Sequence, residues 1–99
     1  MMCELHRAMD IEFDTDKDDA NREKHGVSLA FGALVFSDPA YIVIPSIRPV
    51  DGEDRYKAVG IVEGKFWTAV HVYRGEAIRF LSVRRSNAGE ERNYRGASG

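Results

Sequence analysis

Three stretches of alternating apolar residues, Arg55 to Val62, Phe66 to Arg74 and Ala77 to Arg85, follow one another with only a few residues between them, and this spacing constrains the fold more than anything else in the chain. Joins so short leave no room for the crossover of roughly a dozen residues that parallel neighbours need. The three runs are therefore expected to form an antiparallel meander, turning at Glu63-Gly64 and at Arg74-Gly75-Glu76. The last run ends in two adjacent arginines, Arg84 and Arg85, and Ser86, Asn87 and Gly89 break its pattern just beyond. Side chains alternate across a strand, so the two arginines should point to opposite faces of the sheet. A guanidinium at the rim of a rigid sheet suits phosphate or carboxylate as a planar fork. The plainer alternative is a solvated strand end.

Upstream of the meander, residues 1 to 10 lack a clear period and read as a flexible extension, and Ile11 to Phe13 reads as a short strand. A first helix is expected from about Lys17 to His25, with Asp16 as its N-cap and Gly26 as its stop. Its only apolar residue is Ala20, so tertiary or functional polar contacts must hold it. Ser28 caps a second helix through Phe36, on which Phe31, Leu34 and Val35 share one face, and Asp38-Pro39 ends it. Tyr41 to Ile44 is a further strand, and Pro45 to Asp54 an exposed loop. Ala88 to Tyr94 has weak helix potential, lowered by Gly89, and residues 96 to 99 should fray. The fold class expected is α+β: two N-terminal helices on one face of a mostly antiparallel sheet of four or five strands, a short C-terminal helix, and the other face open. One domain, residues 11 to 95, accounts for the ordered part of a 99-residue chain.

Charge is uneven along this chain of net charge −2: residues 1–54 hold 12 acidic and 5 basic side chains, and residues 55–99 hold 4 and 9. A basic face is therefore available in spite of the overall balance. No apolar run is long enough to cross a bilayer, and the first residues are too polar for a signal-peptide core, so a cytoplasmic protein is expected. The single cysteine, Cys3, has no partner for a disulfide. No paired cysteines, HExxH or cation-loop spacing is present, and no glycine-rich phosphate loop; neither a metal nor a cofactor is expected.

Asn21, Lys24 and His25 share a face of the first helix, where His25 could move a proton and Lys24 could steady an anion. His25 could equally be a helix-end residue that suits the macrodipole. Glu53, Asp54 and Arg55 stand where the loop meets a strand, with Lys57 on the same strand face as Arg55. A carboxylate there could serve as base for a ribose 2′-hydroxyl, or the group could be a surface ion pair. His71, between Val70 and Val72 and on the face of Trp67, Ala69 and Tyr73, reads as a hydrogen-bonded core residue.

Taken in order, NREKHGVSLAFGALVFSDP, GEDRYKAVG, VHVYRG and IRFLSVRRSNAGEERNYR resemble the BrnT family, ribonuclease toxins of bacterial type II toxin-antitoxin pairs. The most specific pieces are Lys24-His25-Gly26, Glu53 to Arg55, and Ser82 to Arg85 followed by Glu90 and Tyr94. The resemblance implies a RelE-like fold, metal-independent RNA cleavage and inhibition of translation. It also implies neutralisation by a BrnA-like antitoxin with a ribbon-helix-helix domain, through which operator DNA is met only indirectly, and no contact with membrane. Carried over, the catalytic residues are Lys24, His25, Glu53 or Asp54, Arg55, Arg84 and Arg85, with Asn21, Lys57 and Arg92 as RNA contacts. One departure is that Ala88, Gly89, Glu90 and Glu91 stand where the family tends to be basic, which points to weaker RNA affinity or another binding surface. The rival reading is an inactive module of the same fold, kept only as partner and corepressor of a DNA-binding antitoxin.

Overall fold

The computed structural model describes residues 10–48 and 53–98. Residues 1–9 with Cys3, the middle of the expected loop at 49–52, and Gly99 lie outside them. The elements run β1 (Asp10–Glu12), α1 (Thr15–His25), a 3₁₀ turn (Leu29–Phe31), α2 (Gly32–Val35), β2 (Ile42–Arg48), β3 (Glu53–Val62), β4 (Lys65–Arg74), β5 (Ala77–Arg85) and α3 (Ala88–Ser98). The five strands form one sheet in the order β1-β5-β4-β3-β2.

The meander is as the turn spacing requires: β3, β4 and β5 pair antiparallel in sequence order, and β2 pairs antiparallel with β3. Glu63 and Gly64 both take positive φ at the first turn, and Gly75 at the second. The sheet is nevertheless mixed, because β1 runs parallel to β5, Ile11 facing Ile78. The expected loop from Pro45 to Asp54 is shorter than the sequence suggested. β2 continues through Pro45 to Arg48, which faces Glu53 across the pair. Proline is tolerated there because β2 is an edge strand, and an edge position need not lose a ladder hydrogen bond.

The helices depart further from expectation. Asp14, not Asp16, caps α1: in extended backbone its Oδ1 accepts from the N–H groups of Asp16 and Lys17 at 2.8 and 3.3 Å. Gly26 closes α1 in the left-handed region at φ 80°, as its sequence position suggested. The second helix is only a 3₁₀ turn and one turn of α-helix. This tight geometry buries Leu29 and Val35 completely and leaves Leu34 46% exposed. Leu29 and Val35 pack with Ala58, Val62, Ala69, Phe80 and Val83, which places the core on one face of the sheet. Two glycines permit the approach: a Cβ on Gly60 would meet the Val35 carbonyl at 2.7 Å, and one on Gly32 the Phe80 ring at 2.7 Å.

α1 buries only Asp18 and Asn21 and is held by them rather than by an apolar stripe. Asp18 accepts from the Leu29 N–H at 2.6 Å. Asn21 donates to the carbonyls of Val27 and Val83 at 2.8 and 2.9 Å and accepts from the Val83 N–H at 3.0 Å. β1 pairs only with Ala77, Ile78 and Arg79, so further along that edge the N–H and carbonyl of Val83 need another partner, and the Asn21 amide supplies it. The helix therefore lies along the sheet edge. The face expected to be open is also partly covered, by α3. Tyr94 meets Phe66 edge to face at 5.2 Å, and its hydroxyl donates to Asp38 at 2.7 Å. His71 is fully buried, with Nδ1 2.9 Å from the Ala69 carbonyl oxygen, as its strand position implied.

Candidate functional site

Pairing register decides which side chains meet. Lys57 faces Val70, which faces Ser82; Val59 faces Thr68, which faces Arg84. Lys57, Thr68, Ser82 and Arg84 thus share the face opposite the core. Arg85 points the other way, as alternation requires: its guanidinium carbon lies 5.6 Å from the centre of the Trp67 ring, and its Nε donates to the Phe66 carbonyl at 3.1 Å.

Over that face sits Glu90, only 3% exposed. Arg84 Nη1 and Nη2 donate to its two carboxylate oxygens at 2.9 and 2.8 Å. Lys57 Nζ is 3.2 Å from Oε2, and the Thr68 hydroxyl donates to Oε1 at 2.9 Å. The Asn87 N–H donates to Oε1 at 3.0 Å while the Glu90 N–H donates back to the Asn87 side chain at 2.8 Å, a reciprocal capping box that starts α3. Burial alone raises a carboxyl, but the Arg84 guanidinium, the Asn87 N–H and the Thr68 hydroxyl together hold Glu90 at about 2. Sequence reading placed Glu90 where a basic residue was expected and missed its role. The signal was there in Asn87-Ala88-Gly89-Glu90, a helix-start pattern directly after a strand that ends in arginine.

His25 closes α1 at the sheet edge, part-buried and close enough to Arg84 to feel its charge. Partial burial, then the positive charges of Lys24 and Arg84, lower its pKa and favour the neutral imidazole. Lys24 is exposed beside it. A pocket of about 260 Å³ between α1 and β5 is lined by Lys17, Lys24, His25 and Ser82, among others. A larger groove of about 550 Å³, lined by Leu34, Pro39, Ile61 and Tyr94 among others, has no cation in its wall.

The remaining expected residues fall differently. Asn21, read as an RNA contact, is buried with both amide groups bound to backbone. Arg55 is part-buried on the Lys57 face, whereas Asp54, by alternation, belongs to the opposite face and is not brought to the cations. Glu53 opens β3, and its side chain lies outside what is described. Arg92 is exposed on α3, beyond Glu90. Among the described residues, no three His, Cys, Asp or Glu side chains gather to hold a metal ion, and no helix is long and apolar enough to cross a membrane.

Residues 13–90 match the family model described as ribonuclease toxin, BrnT, of type II toxin-antitoxin system. The chain belongs to the BrnT family. The matched span runs from Phe13, before α1, to Glu90 itself, so it contains every member of the Arg84–Glu90 network and stops short of Arg92. No curated protein matches this BrnT chain. Membership makes it a ribonuclease toxin of a type II pair at the level of the family, with an antitoxin as its partner.

Proposed function

We propose that this BrnT chain is a metal-independent endoribonuclease that cleaves RNA by attack of a ribose 2′-hydroxyl and so inhibits translation. A small ribbon-helix-helix antitoxin neutralises it and carries it to operator DNA. The observation that supports this most is that Arg84, which shares the Glu90 carboxylate with Lys57, also lies close enough to His25 for its charge to act there, with Lys24 beside His25 at the end of α1. A neutral imidazole beside fixed cations suits proton removal next to a phosphate. In this reading His25 takes the 2′-hydroxyl proton and the oxygen bonds to the adjacent phosphorus. The bond from phosphorus to the 5′-oxygen then breaks, and the departing oxygen gains a proton. The products are a 2′,3′-cyclic phosphate and a 5′-hydroxyl.

Arg84 has five N–H donors, of which three are engaged: two by Glu90 and one by the Arg85 carbonyl. Two remain to meet the extra negative charge of the transition state, with Glu90 fixing the plane of the fork. Arg55, on the Lys57 face, belongs to the proposed site only as an outer member.

A second reading, an inactive partner and corepressor, draws on the same Glu90. A carboxylate already fills the fork that phosphate would use, and the cations then serve the fold alone. Purified chain incubated with RNA in the presence of EDTA separates the two. Cleavage that survives EDTA and leaves 2′,3′-cyclic ends is the expected result. Cleavage abolished by EDTA and restored by a divalent ion sinks the metal-independent chemistry. Intact RNA, together with normal growth of bacteria expressing the chain without its antitoxin, leaves the second reading standing.

A further inference from the structure

The charges of α1 are sorted around its axis in a way that composition hides. Asp16, Asp19 and Glu23, spaced by three and four, share one side and are exposed. Lys17 and Lys24 sit on the other side with Asn21 between them, and because Asn21 is tied to Val83, that side is turned toward β5. The pocket between helix and strand is lined by both lysines, with Ala20 and Leu81 as apolar wall and Ser82 beside them; none of the three carboxylates is part of its lining. Leu81 lines it because of a bulge: Val70 faces Ser82 and His71 faces Phe80, so Leu81 is left without a partner on β4. Neither lysine makes an ion pair with a described residue, in contrast to Arg22, which pairs with Asp18 at 3.3 Å.

A pocket of about 260 Å³ lies below the roughly 300 Å³ at which sites for drug-sized ligands begin, so it suits one unit of a polymer whose neighbours continue outside. Unpaired ammonium groups over an apolar wall fit a nucleotide, with phosphate on the lysines and sugar or base on Leu81. The lysines stand seven residues apart, about 10 Å along the helix, so they follow a strand rather than grip a single anion. His25 lines the same pocket and connects it to the Arg84 side. We propose that the α1–β5 pocket is a subsite for the RNA nucleotide next to the scissile phosphate, with Lys17 and Lys24 holding its backbone and Lys17 acting in binding rather than in chemistry. This rests on the RNA-cleaving reading above and adds Lys17 and Ser82 to the surface that meets the strand.

The test uses the full chain, a short single-stranded RNA, and the same RNA made uncleavable by one 2′-deoxy sugar at the cut site. Binding of the uncleavable RNA is followed by fluorescence anisotropy at several salt concentrations for the parent, Lys17→Ala and Lys17→Arg. Lys17→Ala should bind about two- to fivefold more weakly, the effect of one exposed charge pair. Its salt slope should be shallower by about 0.7, the value for one phosphate contact on a single strand. Lys17→Arg should restore both, and in cleavage Lys17→Ala should raise KM at unchanged kcat. Unaltered affinity and slope in Lys17→Ala overturn the subsite even if the parent cleaves RNA. A parent that binds the uncleavable RNA with the expected slope change but never cleaves leaves the subsite standing and removes the catalytic reading. A parent that binds no RNA removes both.

Discussion

Arg84 and Glu90 are joined by two parallel hydrogen bonds, 2.9 and 2.8 Å, that tie the last strand of the sheet to the first turn of the helix after it. Glu90 is 3% exposed and Arg84 is only part-exposed, so this is no surface pair of the kind that contributes little. Because Lys57 and Thr68 converge on the same carboxylate, three elements depend on one side chain.

Glu90→Gln should cost stability in a pH-dependent way. The Glu90 carboxyl is held at about 2 against 4.5 for the free group. A pKa depressed on folding contributes stability above the unfolded value, here about 3 kcal/mol, and that stability is lost as pH falls from about 4.5 toward 2. Unfolding free energies from urea titration of the parent and Glu90→Gln should differ by about this amount at pH 7, by less than half of it at pH 3, and converge only near pH 2. A difference that stays constant with pH removes the ion pair as its cause.

His71 should make the protein less stable in mild acid. Burial lowers its pKa, with the Ala69 carbonyl opposing only in part, while Tyr56, Tyr73, Phe36 and Phe80 pack around it. The folded state thus disfavours the imidazolium, so stability is whole above the unfolded value near 6.5 and declines as pH drops below it. His25 shifts in the same direction and adds to the trend. Denaturation midpoints between pH 8 and 5 should fall for the parent and flatten in His71→Gln. An equal slope in both assigns the trend to His25 or other groups.

The two arginines should separate in function. Arg84→Ala, checked for folding by circular dichroism, should lower kcat by about 10²- to 10³-fold, the loss typical of one preorganised donor. Lysine should restore it only in part, lacking the fork. Arg85→Ala, stacked over Trp67 on the core side, should keep cleavage within about threefold and lose about 0.5–1 kcal/mol of stability. The reverse pattern would place the active face on the wrong side of the sheet.

Asn21→Ala should destabilise without any help from RNA. Its removal strands the N–H and carbonyl of Val83 and the carbonyl of Val27, buried or part-buried groups worth about 1–3 kcal/mol each when left unpaired and relaxing in part toward water. A total loss of about 3 kcal/mol in urea is expected. A loss under 1 kcal/mol makes Asn21 a surface residue after all.

Much of the fold was legible in local pattern. Period-two alternation and the Gly64 and Gly75 turns determined the meander. Gly26 determined the end of α1, and alternation alone put Arg84 and Arg85 on opposite faces. The lack of an apolar stripe on α1 correctly announced that polar contacts hold it, but not that Asn21 would pair with the edge backbone of Val83 on β5. What local pattern could not give was set by long-range pairing. Asp14 and Asp16 are chemically alike, and only the backbone entering α1 made the first the cap. The parallel seat of β1, the continuation of β2 through Pro45, and the exposure of Leu34 depend on which neighbour each segment finds. Above all, the sequence determined that two arginines end a strand, whereas the tertiary structure decided that Glu90 occupies one of them. A carboxylate six residues on can meet Arg84 only because the capping box turns α3 back across the sheet, where burial and convergence with Lys57 and Thr68 make one geometry far more stable than a solvated side chain.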